Sequence, residues 1–317
     1  MSSLIRWGVL GCARIARLHV IPAILRASNA TLQAVASRDA ARLDEFGGLF
    51  GRFRPHLSYE ALIADPDVDA VYIPLPNALH GEWAVRALNA GKHVLCEKPL
   101  ALTAAEAETM VAAARANGVW LMEGFMYRYT DRLRQVVRVI DSGALGTLRS
   151  IDASYRFLLD RNGTIKEKAE LGGGALYDVG CYPLDLIGLL TGAEPVSCAV
   201  ESVSRNGVDV NLSALLRYPD GVIATLHCGF DAFPHVRADI IGTEGRLEVD
   251  ATYLDDAGEL VLHTRSGREV IPVAASDRYR AEIEDLSSAI ADKRPPLISL
   301  DDSLRTARTL DRLRARM

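Results

Sequence analysis

The apolar pattern of this chain changes period once, and that change limits the fold more than any other feature of the sequence. Up to about residue 125, short unbroken apolar runs (5–10, 32–36, 70–73, 93–96 and 120–122) alternate with Ala-rich amphipathic stretches of helical length, such as 78–90 and 104–116. Such runs mark parallel strands buried on both faces, and strand–helix alternation implies a parallel sheet covered on both sides. Helix-end signals agree: Gly91 and Gly118 stand as C-caps, and Thr103 precedes Glu106 at capping-box spacing. After about residue 145 the period becomes two. The stretches 148–157, 195–204, 210–218, 222–230, 237–241 and 247–249 alternate apolar and polar residues, with turns such as Pro219-Asp220-Gly221 between them. This predicts an antiparallel sheet with one face turned to solvent or to a partner. One helical stretch, 176–190, lies early in this half, and from Tyr279 the spacing is helical again. The expected organisation is an α/β domain over 1–125 and a second domain over 126–317, with the last helices packing back on the first domain.

Size and composition fit that division and set aside several classes of function. The 317 residues suffice for two domains, at about 100–200 residues each. The net charge of -5 is spread along the chain, and no Lys/Arg block offers a nucleic-acid surface. The Arg-rich segment 305–316 is interleaved with Leu and Asp, as in a solvated amphipathic helix. The five cysteines (Cys12, Cys96, Cys181, Cys198, Cys228) are odd in number and form no CxxC pair, which argues against a disulfide framework and against a metal site. No basic stretch followed by an apolar one opens the chain, and no apolar run reaches the ~20 residues that span a bilayer. A cytoplasmic protein without membrane contact is expected.

Directly after the first strand, the segment from Gly8 to Ala16 reads as a glycine-poor GxGxxG fingerprint. Gly11 permits the tight strand-to-helix turn. A small residue at Ala13 lets backbone approach a pyrophosphate, and another at Ala16 lets helix and strand pack closely. A dinucleotide pyrophosphate would rest on the N–H groups of Cys12, Ala13, Arg14 and Ile15, where helix-end donors and dipole favour an anion. The doubly wound sheet is thus expected to be a Rossmann domain. Where an acid would grip the ribose of NAD, about 20 residues on, the second strand ends in Ser37-Arg38-Asp39. Ser37 offers a hydrogen bond and Arg38 a cation for a 2′-phosphate, so NADP(H) is favoured over NAD(H). Asp39 is read as a helix N-cap rather than a ribose ligand. Leu75, Asn77 and His80 follow the strand 70–73 at the ligand-binding edge of the sheet. Asn77 is also a good N-cap, and His80 is either a ligand contact or a surface histidine.

Two constellations carry chemistry. Glu97-Lys98-Pro99 follows the strand 93–96 and so lies at the same sheet edge. Lys98 can bond a sugar hydroxyl, polarise a carbonyl and assist proton transfer, while Glu97 joins it at the cofactor edge. The plain alternative is a surface ion pair. Further on, three glycines at 172–174 open a helix carrying Asp178 and Tyr182, four residues apart and hence on one face. A carboxylate and a phenol on one face suit sugar binding and proton transfer, with a lysine ammonium nearby to lower the phenol pKa. Without that context, a tyrosine on a helix is packing.

Taken in order, GCARIA at 11–16, ASRD at 36–39, PLPNALH at 74–80, EKP at 97–99, EGFMYR at 123–128 and GGGALYDVGCYP at 172–183 resemble the glucose-fructose oxidoreductase / inositol dehydrogenase / MocA family over nearly the full length. The resemblance implies a Rossmann domain followed by an α/β domain with a large, mostly antiparallel sheet that forms the dimer interface. It assigns substrate binding and catalysis to Lys98, sugar orientation to Asp178 and the acid/base position to 182. Tyr182 stands there in place of histidine, which is similar to the branch with NADP-dependent xylose dehydrogenase, dihydrodiol dehydrogenase and nucleotide-sugar 3-ketoreductases.

Three functions follow as expectations. The first is an NADP-dependent dehydrogenase of free aldoses acting at C1 of a pyranose, with catalytic Lys98, Asp178 and Tyr182. The second is a ketoreductase of a nucleotide-linked keto sugar. Its diphosphate would meet cations such as Arg128, Arg156, Arg161, Lys166 and Lys168, whose plain alternative is scattered surface charge. The third is a dinucleotide-binding sensor without turnover. An apolar sheet face in the second half makes a homodimer, or a higher symmetric assembly, the expected state.

Overall fold

The structure, a computed structural model, describes residues 4–160, 163–254 and 256–317. It divides into two compact units: the chain through Met126 together with Tyr279–Leu300, and Tyr127–Arg278 together with Asp301–Met317.

In the first unit β1 (Ile5–Leu10), α1 (Ile21–Arg26), β2 (Ala30–Ala36), α2 (Ala40–Phe50), β3 (Arg54–His56), α3 (Tyr59–Ile63), β4 (Ala70–Ile73), α4 (His80–Asn89), β5 (His93–Glu97), α5 (Ala104–Asn117) and β6 (Leu121–Gly124) alternate strand and helix. The strands pair in parallel in the order β3-β2-β1-β4-β5-β6. β4 is buried at every residue, as an unbroken apolar run between two helix layers must be, and β6 is buried throughout although it carries Glu123. Polar residues stop and start the helices. Asp39, Ser58 and Thr103 each accept a backbone N–H at the start of α2, α3 and α5. Gly118 closes α5 in the left-handed conformation (φ 63°). Gly8 is needed for packing, since a Cβ there would stand 2.7 Å from Leu62 Cδ2 on α3.

The second unit opens with α6 (Asp131–Asp141) and β7 (Leu148–Leu158), passes through α7 (Cys181–Thr191), and continues as β8 (Ser197–Arg205), β9 (Val208–Arg217), β10 (Ile223–Gly229), β11 (Asp231–Gly242), β12 (Gly245–Asp250), β13 (Gly258–Thr264) and β14 (Gly267–Val273). These strands form one sheet in the order β14-β13-β12-β11-β7-β10-β9-β8, antiparallel except between β7 and β10. The inner face buries Ile151, Ala153, Leu212, Leu226, Ile240 and Leu247. α7 lies directly on it, because a Cβ at Gly180 would come within 2.9 Å of Cys228 Sγ on β10. The expected parallel-plus-antiparallel α/β architecture is therefore present.

The outer face of this sheet departs from expectation. Register places Leu215, Ile223 and Ile241 on one side with Asp152, Arg237, Asp239, Arg246 and Glu248. Arg237 and Arg246 bond Asp239 at 2.9 and 2.6 Å, and Arg237 also reaches Glu248 at 3.2 Å. The face is mixed and laced with ion pairs rather than apolar.

The two remaining helices separate. The segment Tyr279–Leu300, which holds nearly all of α8 (Arg278–Asp292), belongs to the first unit. There Ser287 Oγ accepts from the Trp7 indole at 3.1 Å, and the Glu284 carbonyl accepts from Asn29 at 2.9 Å. α9 (Leu300–Arg314) belongs almost wholly to the second unit, where Arg305 donates to the Gly188 carbonyl. Among the described residues no helix is long and apolar enough to cross a membrane, and no group of three or more His, Cys, Asp or Glu could hold a metal ion. None of the five cysteines takes part in a disulfide.

Candidate active site

In the first unit the strand order reverses between β1 and β4, and that reversal opens a crevice beyond their C-terminal ends. Gly11 stands at its mouth with φ 101°, its N–H bonded to the Ala36 carbonyl at 2.8 Å. A side chain there would be strained in φ and would meet Leu75 Cδ2 at 3.2 Å, so the glycine is required by the turn itself. The helix that follows makes its first bond from Arg17 N–H to the Ala13 carbonyl. The N–H groups of Ala13, Arg14 and Ile15 precede that bond, and a helix end leaves such donors for an anion. A π-helical turn, Ala16–Val20, joins this opening to α1. Cys12 and Ala13 are half-buried and Arg14 is exposed, so the cradle is accessible.

At the end of β2, Ser37 is buried and its Oγ accepts the Asp39 N–H at 3.1 Å. Burial pushes the neighbouring Cys12 thiol up, opposed by its hydrogen bond with Ser37. Asp39 caps α2 by accepting the Ala41 N–H at 3.0 Å, the cap expected of it. Arg38 is exposed, and its charge opposes the burial that raises the Tyr59 phenol. Arg42 adds a second cation: its guanidinium reaches the Cys12 carbonyl at 3.5 Å and lies 3.8 Å from Asp39. The sequence reading passed over Arg42, although its place one helical turn after Arg38 is the signal that would have found it. Gly11, the open helix end and these two arginines fit a dinucleotide carrying an extra phosphate.

Lys98 follows β5 at the same edge, in a turn held from three sides. Tyr72 donates to Glu97 Oε1 at 2.6 Å, and burial raises the Tyr72 phenol far above its usual range. Glu123 Oε1 accepts the Leu100 N–H at 2.7 Å. His80 is fully buried, with Nδ1 2.8 Å from the Pro99 carbonyl and Nε2 2.9 Å from the Leu75 carbonyl. Both readings of His80 are thereby corrected: it is neither a surface residue nor placed to touch a ligand, since both ring nitrogens face main-chain carbonyls. Asn77 does not cap α4. It opens a 3-10 turn, Asn77–Leu79, and α4 begins at His80 without a side-chain cap.

In the second unit Asp178 and Tyr182 lie at the start of α7, across a π-helical turn, Leu176–Gly180. The glycines before it serve the local backbone. A Cβ at Gly173 would stand 2.5 Å from the Lys166 carbonyl, and the Gly173 and Gly174 N–H groups donate to the Lys168 and Lys166 carbonyls, each at 2.9 Å. Buried Asp209 completes the corner by accepting the Leu176 N–H at 2.7 Å. The turn thus fixed delivers Lys166 to Asp178, with which it forms an ion pair. The same ammonium lies 5.3 Å from the Phe157 ring and 5.8 Å from that of Phe230. Tyr182 is buried among Tyr127, Tyr155 and Tyr253, with ring centroids 5.4–5.8 Å away.

The expected cationic clamp is not assembled. Arg128 is buried and bonded bidentately to Asp185 at 2.6 and 2.7 Å, so its charge is neutralised inside the unit and is not offered to a substrate. Arg156 bonds Ser213 Oγ at 3.3 Å on the outer sheet face, whereas its neighbour Tyr155 faces Tyr182. The structure therefore does not bring Arg156 together with Asp178 and Tyr182. Lys166 is paired with Asp178, Lys168 is exposed, and Arg161 lies outside the described residues. Asp185, Asp209 and the Lys166–Asp178 pairing were all missed from sequence. Only Asp209 carries a local sign, as an acid within the alternating pattern of β9.

Comparison with known proteins agrees with this geometry. Residues 5–125 match the model of an oxidoreductase family with an NAD-binding Rossmann fold (GFO_IDH_MocA), and residues 133–248 match the GFO/IDH/MocA C-terminal domain. The chain is 38% identical, over 98% of its length and 95% of the relative's, to dTDP-3,4-didehydro-2,6-dideoxy-alpha-D-glucose 3-reductase of Actinomadura kijaniata. It is 36% identical to D-xylose 1-dehydrogenase (NADP(+)) 2 of Haloferax volcanii, over 96% of this chain and 95% of that one. Among solved structures, KijD10, a 3-ketoreductase from Actinomadura kijaniata in complex with NADP and TDP-benzene, superposes with a TM-score of 0.92 at 36% identity, covering 99% of this chain and 98% of that chain.

Proposed function

Because the chain belongs to the GFO/IDH/MocA oxidoreductase family, we propose that it is an NADP(H)-dependent enzyme acting on a ring carbon of a small sugar, with C1 of a free aldopyranose preferred. The cofactor reading is supported by Arg38 and Arg42 beside Ser37, at a strand end whose one acid, Asp39, is engaged as a helix cap. Two cations at that point suit a 2′-phosphate, whereas an acid would suit free ribose hydroxyls. The bound nicotinamide supplies the hydride donor or acceptor.

The single observation that carries the substrate reading is the Asp178–Lys166 pair beside Phe157 and Phe230. It sets an acceptor and a donor side by side against an apolar wall, which matches two adjacent hydroxyls and the C–H face of a sugar ring. Following the family resemblance, Tyr182 holds and releases the proton of the reacting hydroxyl, and Lys98 bonds the substrate oxygen. Absorbance of reduced nicotinamide, followed with NADP+ and separately NAD+ over aldoses, inositols and dihydrodiols, tests the proposal. Turnover with NADP+ and an aldopyranose is expected; silence across the panel would sink it.

A second reading, reduction of a nucleotide-linked 3-keto sugar, is favoured by the likeness to the Actinomadura kijaniata enzymes. The dispersal of the candidate clamp residues weighs against it. NADPH oxidation with a dTDP-linked keto sugar, in the absence of any aldose activity, would reverse the order of the two. We further infer that two copies meet through the outer face of the eight-stranded sheet, since a mixed polar and apolar surface is what whole interfaces present. Sedimentation equilibrium of the chain as a monomer would remove that inference.

A further inference from the structure

One buried side chain touches both turns that flank the crevice of the first unit. His80 Nδ1 meets the Pro99 carbonyl at 2.8 Å, one residue from Lys98, and Nε2 meets the Leu75 carbonyl at 2.9 Å. Leu75 in turn stands against Gly11, the glycine of the cofactor cradle. A carbonyl only accepts, and the neutral imidazole that burial favours carries a single N–H, so the ring donates to Pro99 or to Leu75 but not to both at once. On the far side of the same turn, buried Glu123 accepts the Leu100 N–H at 2.7 Å. The peptide group between Pro99 and Leu100, next to Lys98, thus has its carbonyl and its N–H held by groups from two other elements, α4 and β6.

We propose that His80 is a positioning residue: it sets the height of Lys98 by anchoring the Pro99 carbonyl, with Glu123 as the opposing anchor at Leu100. This rests on the role given to Lys98 under the proposed function. His80 itself touches neither substrate nor cofactor. Its effect passes through the turn, and a displacement of about 1 Å at a reacting group can cost on the order of 100-fold in rate. The contact with Leu75 belongs to the cofactor side and separates from the contact with Pro99 in a defined way. An asparagine amide nitrogen takes the place of Nδ1, and a glutamine amide nitrogen that of Nε2.

The test compares H80N with H80Q in the full chain. H80N keeps the donor to Pro99 and is expected to hold kcat within a few-fold of wild type. H80Q loses that donor and is expected to lower kcat by about 10–100-fold, with NADPH affinity, measured by quenching of protein fluorescence, unchanged. Hydrogen exchange across residues 97–102 should be faster in H80Q than in H80N whether or not a substrate is known. Equal exchange in the two variants overturns the proposal, as does faster exchange in H80Q with undiminished kcat. If H80Q does not fold, E123Q against E123L repeats the comparison at the second anchor. Failure of the functional reading is distinct: K98A would then retain full turnover, or wild type would turn over no sugar, while the exchange difference persisted.

Discussion

Arg128 and Asp185 form a bidentate pair with less than a tenth of either side chain exposed, and Asp185 also accepts the Tyr127 hydroxyl at 2.5 Å. Removing one partner of such a pair leaves a buried charge uncompensated. Asp185→Ala is therefore expected to lower stability by about 3–5 kcal/mol, read from the urea midpoint; a change within the scatter of surface substitutions would contradict it. Tyr182 poses the opposite case. Tyr182→Phe keeps a ring among Tyr127, Tyr155 and Tyr253. It is expected to abolish turnover while leaving NADPH affinity and the unfolding midpoint close to wild type. A near-normal rate would take the proton role away from Tyr182. Sequence alone could not tell the core cation from a substrate clamp at Arg128, because its partner lies 57 residues further along the chain. His80 was misjudged for the same reason: one of its two carbonyl partners belongs to another turn, 19 residues away.

Elements show where sequence patterns carry furthest. The parallel strands were legible because burial on both faces leaves unbroken apolar runs. β13 bears the period-two alternation of the antiparallel strands, with Leu260 and Leu262 buried, but lies beyond the stretches picked out from sequence, and the edge strand β14 presents little pattern because only Val273 is buried. The π-helical turns before α1 and α7 left no mark in the spacing. The glycines at 172–174 were legible as the opening of a helix, but not that Gly173 and Gly174 pack against the Lys166–Lys168 turn. Gly173→Ala would push a methyl against the Lys166 carbonyl and unseat the ion pair with Asp178. Its expected signature is a raised KM for sugar with NADPH affinity retained; an unchanged KM would detach Lys166 from substrate recognition. Asp39→Ala removes the cap of α2 and should cost about 1 kcal/mol. Cofactor preference should stay with NADP+, and a shift in preference would show that Asp39 reaches the ribose after all.

Charge ties the response of the whole molecule to acid. Burial pushes Asp65 up, but the Asp67 N–H, Arg54 and His56 outweigh it and hold the carboxyl at about 2. Asp69 is likewise held down, with Arg6 outweighing its burial. Burial lowers both His80 and His93 from 6.5. All four groups, in the first unit, release protons more readily folded than unfolded. The stability they contribute is present above the unfolded values and is lost as pH falls, first through the histidines below 6.5 and then through the carboxyls between 3.8 and about 2. In the second unit, Asp131 and Asp152 follow the same sign, while Asp209, raised by burial, stabilises at low pH and offsets them. Trp7, Trp83 and Trp120 all lie in the first unit, so indole fluorescence reports on it alone. On acidification the fluorescence transition should come at higher pH than the loss of β-sheet circular dichroism. Coincident transitions would show that the two units unfold together.

The path of the chain has a consequence for how the protein is made. It leaves the first unit after Met126 and returns only at Tyr279. On the ribosome, α8 emerges after every strand of the second sheet. Until then the Trp7 indole lacks Ser287, and Ser28 and Asn29 lack Glu284. The unit begun first in synthesis is thus closed only after every strand of the second sheet has been made, so a released chain ending at Arg278 should expose β1 and its neighbours to protease although the second sheet has all of its strands.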